Sequence, residues 1–255
     1  MPPATRALSE AEILARILHR DAMMLVLNKP AGIAVHITGH DAIALDASFP
    51  FLQFGLPNPP ALAHRLDRET SGVLIFGRHG GSATALKRAF FARAVEKRYW
   101  ALVTGCIEGH VRIDMPLGPA RDSAIRIKMG PREVEDGGLT AVTEVVPLAR
   151  GTFRGAPITL VECRPETGRQ HQIRVHLWHV GHPIAGDKLY GTDASLFLRS
   201  LQEILALPVG DGLSLKRHAL HAYRLGFEHP KTGERMQFES PFPPELDEFV
   251  KLVRK

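Results

Sequence analysis

Cysteine is scarce in this sequence, with only Cys106 and Cys163 among 255 residues. They stand 57 positions apart and no CxxC occurs, so a zinc knuckle or a thioredoxin-like site lacks its usual spacing. Two reduced thiols are the simple expectation. Long hydrophobic runs are also missing; none approaches the roughly 18 residues that a membrane-spanning helix needs. The opening Met1-Pro2-Pro3-Ala4 has no basic stretch followed by an apolar one, so a secretory signal is not expected. A Walker A loop, a GxGxxG after a strand, a GxSxG and an HExxH are all absent. Nucleotide-dependent, dinucleotide-dependent and serine-hydrolase chemistries lose support accordingly. Aromatics make up only 7% of the chain, so four within eleven residues, at Phe90, Phe91, Tyr99 and Trp100, stand out.

What is present describes a folded protein with a basic bias. Hydrophobic residues at 44% and charged residues at 23% exclude a wholly disordered chain, a collagen and a coiled coil. The length allows one large domain or two small ones. Lys and Arg number 32 against 27 Asp and Glu, a net charge of +5 that suits a polyanionic partner without specifying one. Glycine and proline are frequent, at 23 and 19, which predicts many turns.

Along the chain, Ser9 and Glu12 form a capping box, and Ile13, Leu14, Ile17 and Leu18 predict a helix to about His19. Residues 23–27 predict a strand running into the turn Asn28-Lys29-Pro30-Ala31-Gly32. Residues 38–62 are ambiguous, with Pro50, Pro57, Pro59 and Pro60 interrupting any long helix. Ser82 is placed to cap a helix whose apolar side is Leu86, Ala89, Phe90 and Val95. Strands are expected at 73–76, 99–103, 140–146 and 158–163. A helix opens after Thr167-Gly168-Arg169, with Ile173, Leu177 and Val180 on one face and Gly181 as its stop. Residues 219–227 and 235–239 read as a hairpin, and Pro244, Leu246, Phe249, Val250 and Val253 as a closing helix. Strands outnumber helices and connections are short, which favours a mixed α+β fold around a mainly antiparallel sheet.

Three segments can carry chemistry. His64-Arg65-Leu66-Asp67-Arg68-Glu69-Thr70-Ser71-Gly72 sets one acid between two arginines in a turn-forming stretch. Neighbouring positive charge keeps a carboxylate ionised, ready to act as nucleophile or base. A surface loop with a salt-bridged Asp would show the same bare pattern. Thr167-Gly168-Arg169-Gln170-His171 leads into a helix whose free N–H groups could hold phosphate beside Arg169. Within that helix Arg174 shares a face with His171 and Trp178 and could reach inward to a carboxylate. An amphipathic helix with a solvated basic face is the plainer alternative. His171, His176, His179 and His182 lack the closed ligand set of a zinc site, and no metal is expected. The third segment, residues 87–98, carries Lys87, Arg88, Arg93, Lys97 and Arg98 against the single acid Glu96, with aromatics among them. Charge for phosphates beside rings for bases suits a nucleic-acid surface, although a core stripe with a solvated face explains Phe90 as well.

Taken in order, these pieces resemble the RluA family of RNA pseudouridine synthases. The similar segments are Asn28-Lys29-Pro30-Ala31-Gly32 with Val35-His36, then His64-Arg65-Leu66-Asp67 through Ser71-Gly72-Val73, then Lys97-Arg98-Tyr99 with Val103 and Gly105. Thr167-Gly168-Arg169 through His171-Gln172-Ile173-Arg174-Val175-His176 follows, with Gly181-His182-Pro183-Ile184, Gly186-Asp187 and Leu189-Tyr190-Gly191. Leu220-His221-Ala222, His229-Pro230 and Thr232-Gly233-Glu234 complete a match over about residues 21–243.

The resemblance implies a catalytic role for Asp67 at the uridine glycosidic bond. It implies that Tyr99 stacks on the target base, that Arg174 pairs with the catalytic aspartate and that Arg65 helps hold the flipped nucleotide. Arg68, Lys97, Arg98, Arg169 and His171 are the further expected RNA contacts. The implied fold is α+β, with a bent, mainly antiparallel mixed sheet, flanking helices and a central cleft. No cofactor or metal is implied. Many such proteins carry an N-terminal S4 RNA-binding domain; only about 20 residues precede the first similar segment here, so none is expected. The expected organisation is a tail and short helix over 1–20 and a catalytic domain over 21–255, with substrate choice falling to 38–62 or 106–138.

The chemistry agrees with the residues. A uridine in folded RNA must be extruded at a cost of a few kcal/mol, which a basic, aromatic-lined cleft can offset. Breaking C1′–N1 and joining C1′ to C5 conserves all atoms, so neither water nor a cofactor is consumed. A carboxylate could serve by attack at C1′ or by removing a sugar proton. The expected substrate is structured ribosomal or transfer RNA, and the expected form a cytoplasmic monomer. Two other readings compete. One is a catalytically silent RNA-binding or ribosome-assembly module on the same fold. The other is a glycosidase, which would need a second carboxylate roughly 5–10 Å from Asp67.

Overall fold

Ser9 starts the first regular element. Its hydroxyl accepts the Glu12 N–H at 3.3 Å and the Glu12 carboxylate accepts the Ser9 N–H at 2.8 Å, the reciprocal cap expected from the spacing. The helix stops sooner than its apolar spacing suggests. Ile17–Arg20 is not its continuation but a strand, because Ile17, His19 and Arg20 pair with Leu27, Val26 and Leu25. Pairing with a neighbouring strand outweighs local periodicity there.

The computed structural model describes residues 7–36, 44–121, 123, 125–153, 155–191, 215, 217–244, 246–247 and 251. In chain order its elements are α1 (Glu10–Leu14), β1 (Ile17–Arg20), β2 (Met24–Lys29), β3 (Ala61–Leu62), β4 (Ser71–Gly77) and α2 (Gly80–Phe91). There follow β5 (Glu96–Thr104), β6 (Val111–Asp114), β7 (Leu117–Pro119), β8 (Met129–Pro131), β9 (Val142–Phe153), β10 (Ala156–Pro165), α3 (Gln172–His179), β11 (Leu220–Glu228) and β12 (Arg235–Glu239). A 3-10 helix spans Leu45–Leu52, within the stretch that was ambiguous in the sequence. The fold is α+β, with a large, mostly antiparallel sheet and few helices. Residues 37–43 and most of the expected closing helix, including Phe249, Val250 and Val253, lie outside the described residues.

The chain forms two compact units. The first comprises Met1–Lys97 with Ala222–Pro241. Its strands run β1-β2-β4-β11, with β12 on β11 and β3 on β4. All seven residues of β4 are buried. Met24, Val26, Val73, Ile75, Leu225 and Phe227 pack with Leu86 of α2 and Val95 as a core. The Met23 and Met24 amides both donate to the Asp21 carboxylate and fix the entry to β2, and Asp21 also holds His229 of the hairpin turn at 3.2 Å.

Helix α2 begins one turn before Ser82. His79 is the N-cap, and Ser82 is the third residue that reaches back to the His79 N–H. At its other end Arg93 adopts φ 59°. The Arg93 N–H bonds to the Phe90 carbonyl and the Ala94 N–H to that of Ala89, the pair of bonds that closes a helix through a left-handed residue. Glycine is usual at that place, and a side chain there costs on the order of 1 kcal/mol.

The second unit comprises Arg98–His221 with Phe242–Lys255. Its strands run β5-β10-β9-β6, each pair antiparallel, with β7 and β8 as a separate antiparallel pair. Leu102, Val103, Val145, Leu160 and Val161 form its core with Ile173 and Leu177 of α3. Helix α3 begins at Gln172, later than the expected opening, because His171 before it takes the left-handed conformation at φ 56°. Gly181 ends it as expected, at φ 84°, with its N–H on the Trp178 carbonyl. Cys106 is exposed, Cys163 is buried, and neither forms a disulfide.

Gly72 can only be glycine. Its φ is 121°, and a Cβ there would lie 2.1 Å from the Ala222 carbonyl oxygen of β11. Replacing Gly72 by Ala is expected to destabilise the protein by ~3 kcal/mol or more, measured as a shift of the denaturant midpoint. A variant as stable as the parent would contradict the close approach.

Candidate active site

Asp67 sits in the loop between β3 and β4, half-buried, and the Thr70 N–H closes a turn on its carbonyl at 3.1 Å. The neighbouring Arg68 carbonyl is gripped from below. The Gly32 N–H donates to it at 2.9 Å and the Lys29 ammonium at 3.1 Å. Lys29 is 1% exposed, and its Nζ also donates to the Pro30 and Ile33 carbonyls, each at 2.9 Å. One cation thus satisfies three backbone acceptors and ties the Asn28-Lys29-Pro30-Ala31-Gly32 turn to the residue after Asp67. A buried lysine could have been suspected from its place at the end of an apolar strand. That its head belongs to the Asp67 loop was not visible in sequence.

His64 holds the same loop from its other side. The Ile75 N–H of β4 donates to His64 Nε2 at 3.2 Å, which makes that nitrogen the acceptor and leaves Nδ1 with the hydrogen. The ring stacks on Phe90 of α2 with centroids 4.5 Å apart. Burial pushes the imidazole down to about 3; a bond with the Arg65 backbone opposes this and the Lys97 charge adds to it. The residue is neutral at physiological pH and structural in its bonding.

The second unit has a polar cluster of its own at the start of α3. Gln172 is its hub. Its Nε2 donates to the Val142 carbonyl at 2.8 Å and to Thr143 Oγ1 at 2.9 Å, while its Oε1 accepts from Thr167 Oγ1 at 2.7 Å and from the Arg169 N–H at 3.0 Å. His171 Nδ1 meets the Tyr190 hydroxyl at 2.8 Å, and that hydroxyl also accepts the Met129 N–H. Arg174 reaches inward to a carboxylate, as its helical face suggested, and the carboxylate is that of Asp187. Nε donates to Oδ2 at 2.6 Å and Nη2 to Oδ1 at 2.9 Å, a bidentate fork in which neither side chain is appreciably exposed. Burial works to raise the Asp187 pKa, but the charge and hydrogen bonds of Arg174 outweigh it and hold the carboxyl well below its usual range. The Leu189 and Tyr190 amides also donate to Oδ1. An Asp whose side chain collects amides two and three residues on is a turn signal that Gly186-Asp187 could have offered.

The remaining expected residues divide by their bonding. Tyr99 lies half-buried on β5, paired in register with Cys163. Arg65 is exposed, and Arg68 and Lys97 are half-buried. Arg98 donates to the buried Glu162 carboxylate at 3.4 Å, and Arg169 Nε donates to the Thr140 carbonyl at 3.0 Å. His176 is wholly buried, spent on Thr143 Oγ1 and the Met115 carbonyl, while His182 bonds the Thr104 carbonyl. Among the described residues no three His, Cys, Asp or Glu side chains group as metal ligands.

The family described as RNA pseudouridylate synthase matches residues 23–179, a span that includes Asp67, Tyr99 and Arg174. The chain belongs to this family. This synthase is an isomerase, and its reaction is the pseudouridylation of RNA. It is 37% identical over 251 residues to the ribosomal large subunit pseudouridine synthase D of Xanthomonas campestris, covering 96% of this chain and 71% of that one. It is 36% identical over 258 residues to the protein of the same name from Pseudomonas aeruginosa, covering 96% and 73%. A solved human structure, RNA pseudouridylate synthase domain containing 4, superposes with a TM-score of 0.74 at 25% identity, over 96% of this chain and 95% of that one.

Two measurements test the loop's anchors. Lys29→Met keeps the stem and removes the shared donor; it is expected to cost ~2–4 kcal/mol in chemical denaturation and to lower the specific activity of the protein that remains folded. His64 makes stability depend on pH. Its folded pKa lies below the ordinary 6.5, so the unfolded state binds more protons and stability falls as pH drops from about 6.5 toward about 3. His64→Gln is expected to flatten that slope, by at most ~1.4 kcal/mol per pH unit, in unfolding curves at pH 4, 5 and 7. An unchanged slope would show that His64 is charged in the fold.

Proposed function

We propose that this synthase modifies uridine in the RNA of the large ribosomal subunit, with Asp67 as its catalytic carboxylate. The single observation that supports this most is the treatment of the Asp67 loop. A buried ammonium and a backbone N–H are both committed to the carbonyl next to Asp67, in a chain similar over nearly its whole length to synthases named for that RNA. Such investment in one half-buried turn is characteristic of a loop that must present a side chain in one place.

In this reading the target nucleotide leaves its stack, and the few kcal/mol of unstacking are recovered by contact with basic and aromatic side chains. Asp67 acts at the glycosidic bond. C1′–N1 breaks, the freed uracil turns, and C1′ joins C5, after which the C5 proton moves to N1. Tyr99 stacks on the base and serves the proton transfer. Arg174, held by Asp187, supplies positive charge that keeps the catalytic carboxylate ionised. Arg65 holds the extruded nucleotide, and Arg68, Lys97, Arg98, Arg169 and His171 meet the RNA backbone. No cofactor enters the balance, since the product is an isomer of the substrate. The protein works as a monomer in the cytoplasm.

The test is pseudouridine mapping of ribosomal and transfer RNA from cells that lack the gene, complemented with the parent or with Asp67→Asn. The parent is expected to restore specific large-subunit sites and Asp67→Asn none, although the variant folds normally. Restoration by Asp67→Asn would remove Asp67 from the mechanism, and restoration only in transfer RNA would change the substrate.

A further inference from the structure

Phe91 is 94% exposed at the last turn of α2, while the next most exposed large apolar side chain among the described residues, Leu139, is 55% exposed. A bare aromatic ring in water is a cost that folding does not require. The stretch of chain that carries it is one-signed. From residue 70 to residue 95 the sequence contains no Asp or Glu. Lys87 and Arg88, one turn before Phe91, are exposed, as is Arg93 just after it, and among the described residues none of the three is ion-paired. Arg93 also holds the left-handed conformation at φ 59° that glycine would take without strain. Strain kept at a surface position is a mark of a side chain needed there. The helix is joined to the catalytic segment, since Phe90, adjacent to Phe91, stacks on His64, three residues before Asp67.

We infer that the C-terminal end of α2 is an RNA docking platform, on which Phe91 stacks an unpaired base of the substrate while Lys87, Arg88 and Arg93 hold the phosphates on either side. A ring flanked by three cations, in a stretch with no Asp or Glu from residue 70 to 95, is complementary to single-stranded polyanion and not to an apolar protein face. The inference rests on the proposed RNA reading and adds a subsite to it, apart from the residues that act on the target uridine.

The experiment uses the full chain, a fluorescent oligouridine for binding, and an in vitro transcript of large-subunit RNA tritiated at uracil C5 for activity. Phe91→Ala is expected to weaken oligouridine binding about tenfold, as loss of one base stack does, and to raise KM without lowering kcat. Phe91→Trp retains the affinity. Arg93→Gly is expected to raise the thermal midpoint yet weaken binding, and to reduce the slope of log affinity against log salt by about 1. Leu148→Ala, at an exposed apolar side chain of β9, changes none of these. Variants of Phe91 and Arg93 that bind as the parent does overturn the inference, as does a Phe91→Ala protein whose only change is loss of self-association in sedimentation. An active parent with unaffected variants removes this subsite alone; a parent that neither binds nor modifies RNA removes the functional proposal with it.

Discussion

A single buried ammonium organises the first unit. Lys29 gathers three carbonyls at the turn, held at 2.9–3.1 Å. Carbonyls in a tight turn point away from one another unless something draws them together. Lys29 does so for Pro30, Ile33 and Arg68, and thereby converts two loops distant in sequence into one object. The lone acid between Arg65 and Arg68 is displayed on that object. Sequence order, with Lys29 in one motif and Asp67 in another, conceals that the two turns are hydrogen-bonded to each other.

The second unit solves a similar problem with opposite charges. The Arg174 guanidinium and the Asp187 carboxylate are both withdrawn from water, which is tolerable because each is hydrogen-bonded on several sides. A planar cation with its fork fixed from behind has its other edge aimed by the protein and not by its own rotamers. Gln172 plays the complementary part for the backbone, fastening the start of α3 to β9 through four hydrogen bonds.

Much of this was legible in the residues. The capping box at Ser9, the strands at 73–76 and 158–163 and the Gly181 helix stop rest on local chemistry, and the structure has them. Family membership followed from ordered motifs, each weak alone. The misses share one cause. β1 was read as helix because Ile13, Leu14, Ile17 and Leu18 fit a helical period, and only β2, several residues later, could overrule that. Ser82 fits a cap by its residue type, and nothing local shows that the His79 imidazole serves instead. Asp187 and Lys29 went unassigned because the partner of a buried charge is a tertiary fact.

Strand β4 is pinned at both ends by glycine. Gly72 lies so near the Ala222 backbone, and Gly77 so near the backbone of Ala83 in α2, that a methyl group at either would overlap main-chain atoms. Contacts of that kind have no slack, because two backbones in apposition cannot rotate away as side chains do. Strand β4, the turn that leads into it and helix α2 are therefore braced as one anvil. An anvil does not adapt to the piece laid on it. In the function proposed above, the pliancy is left to the nucleic acid, which favours sites where the RNA is already kinked or loosely stacked.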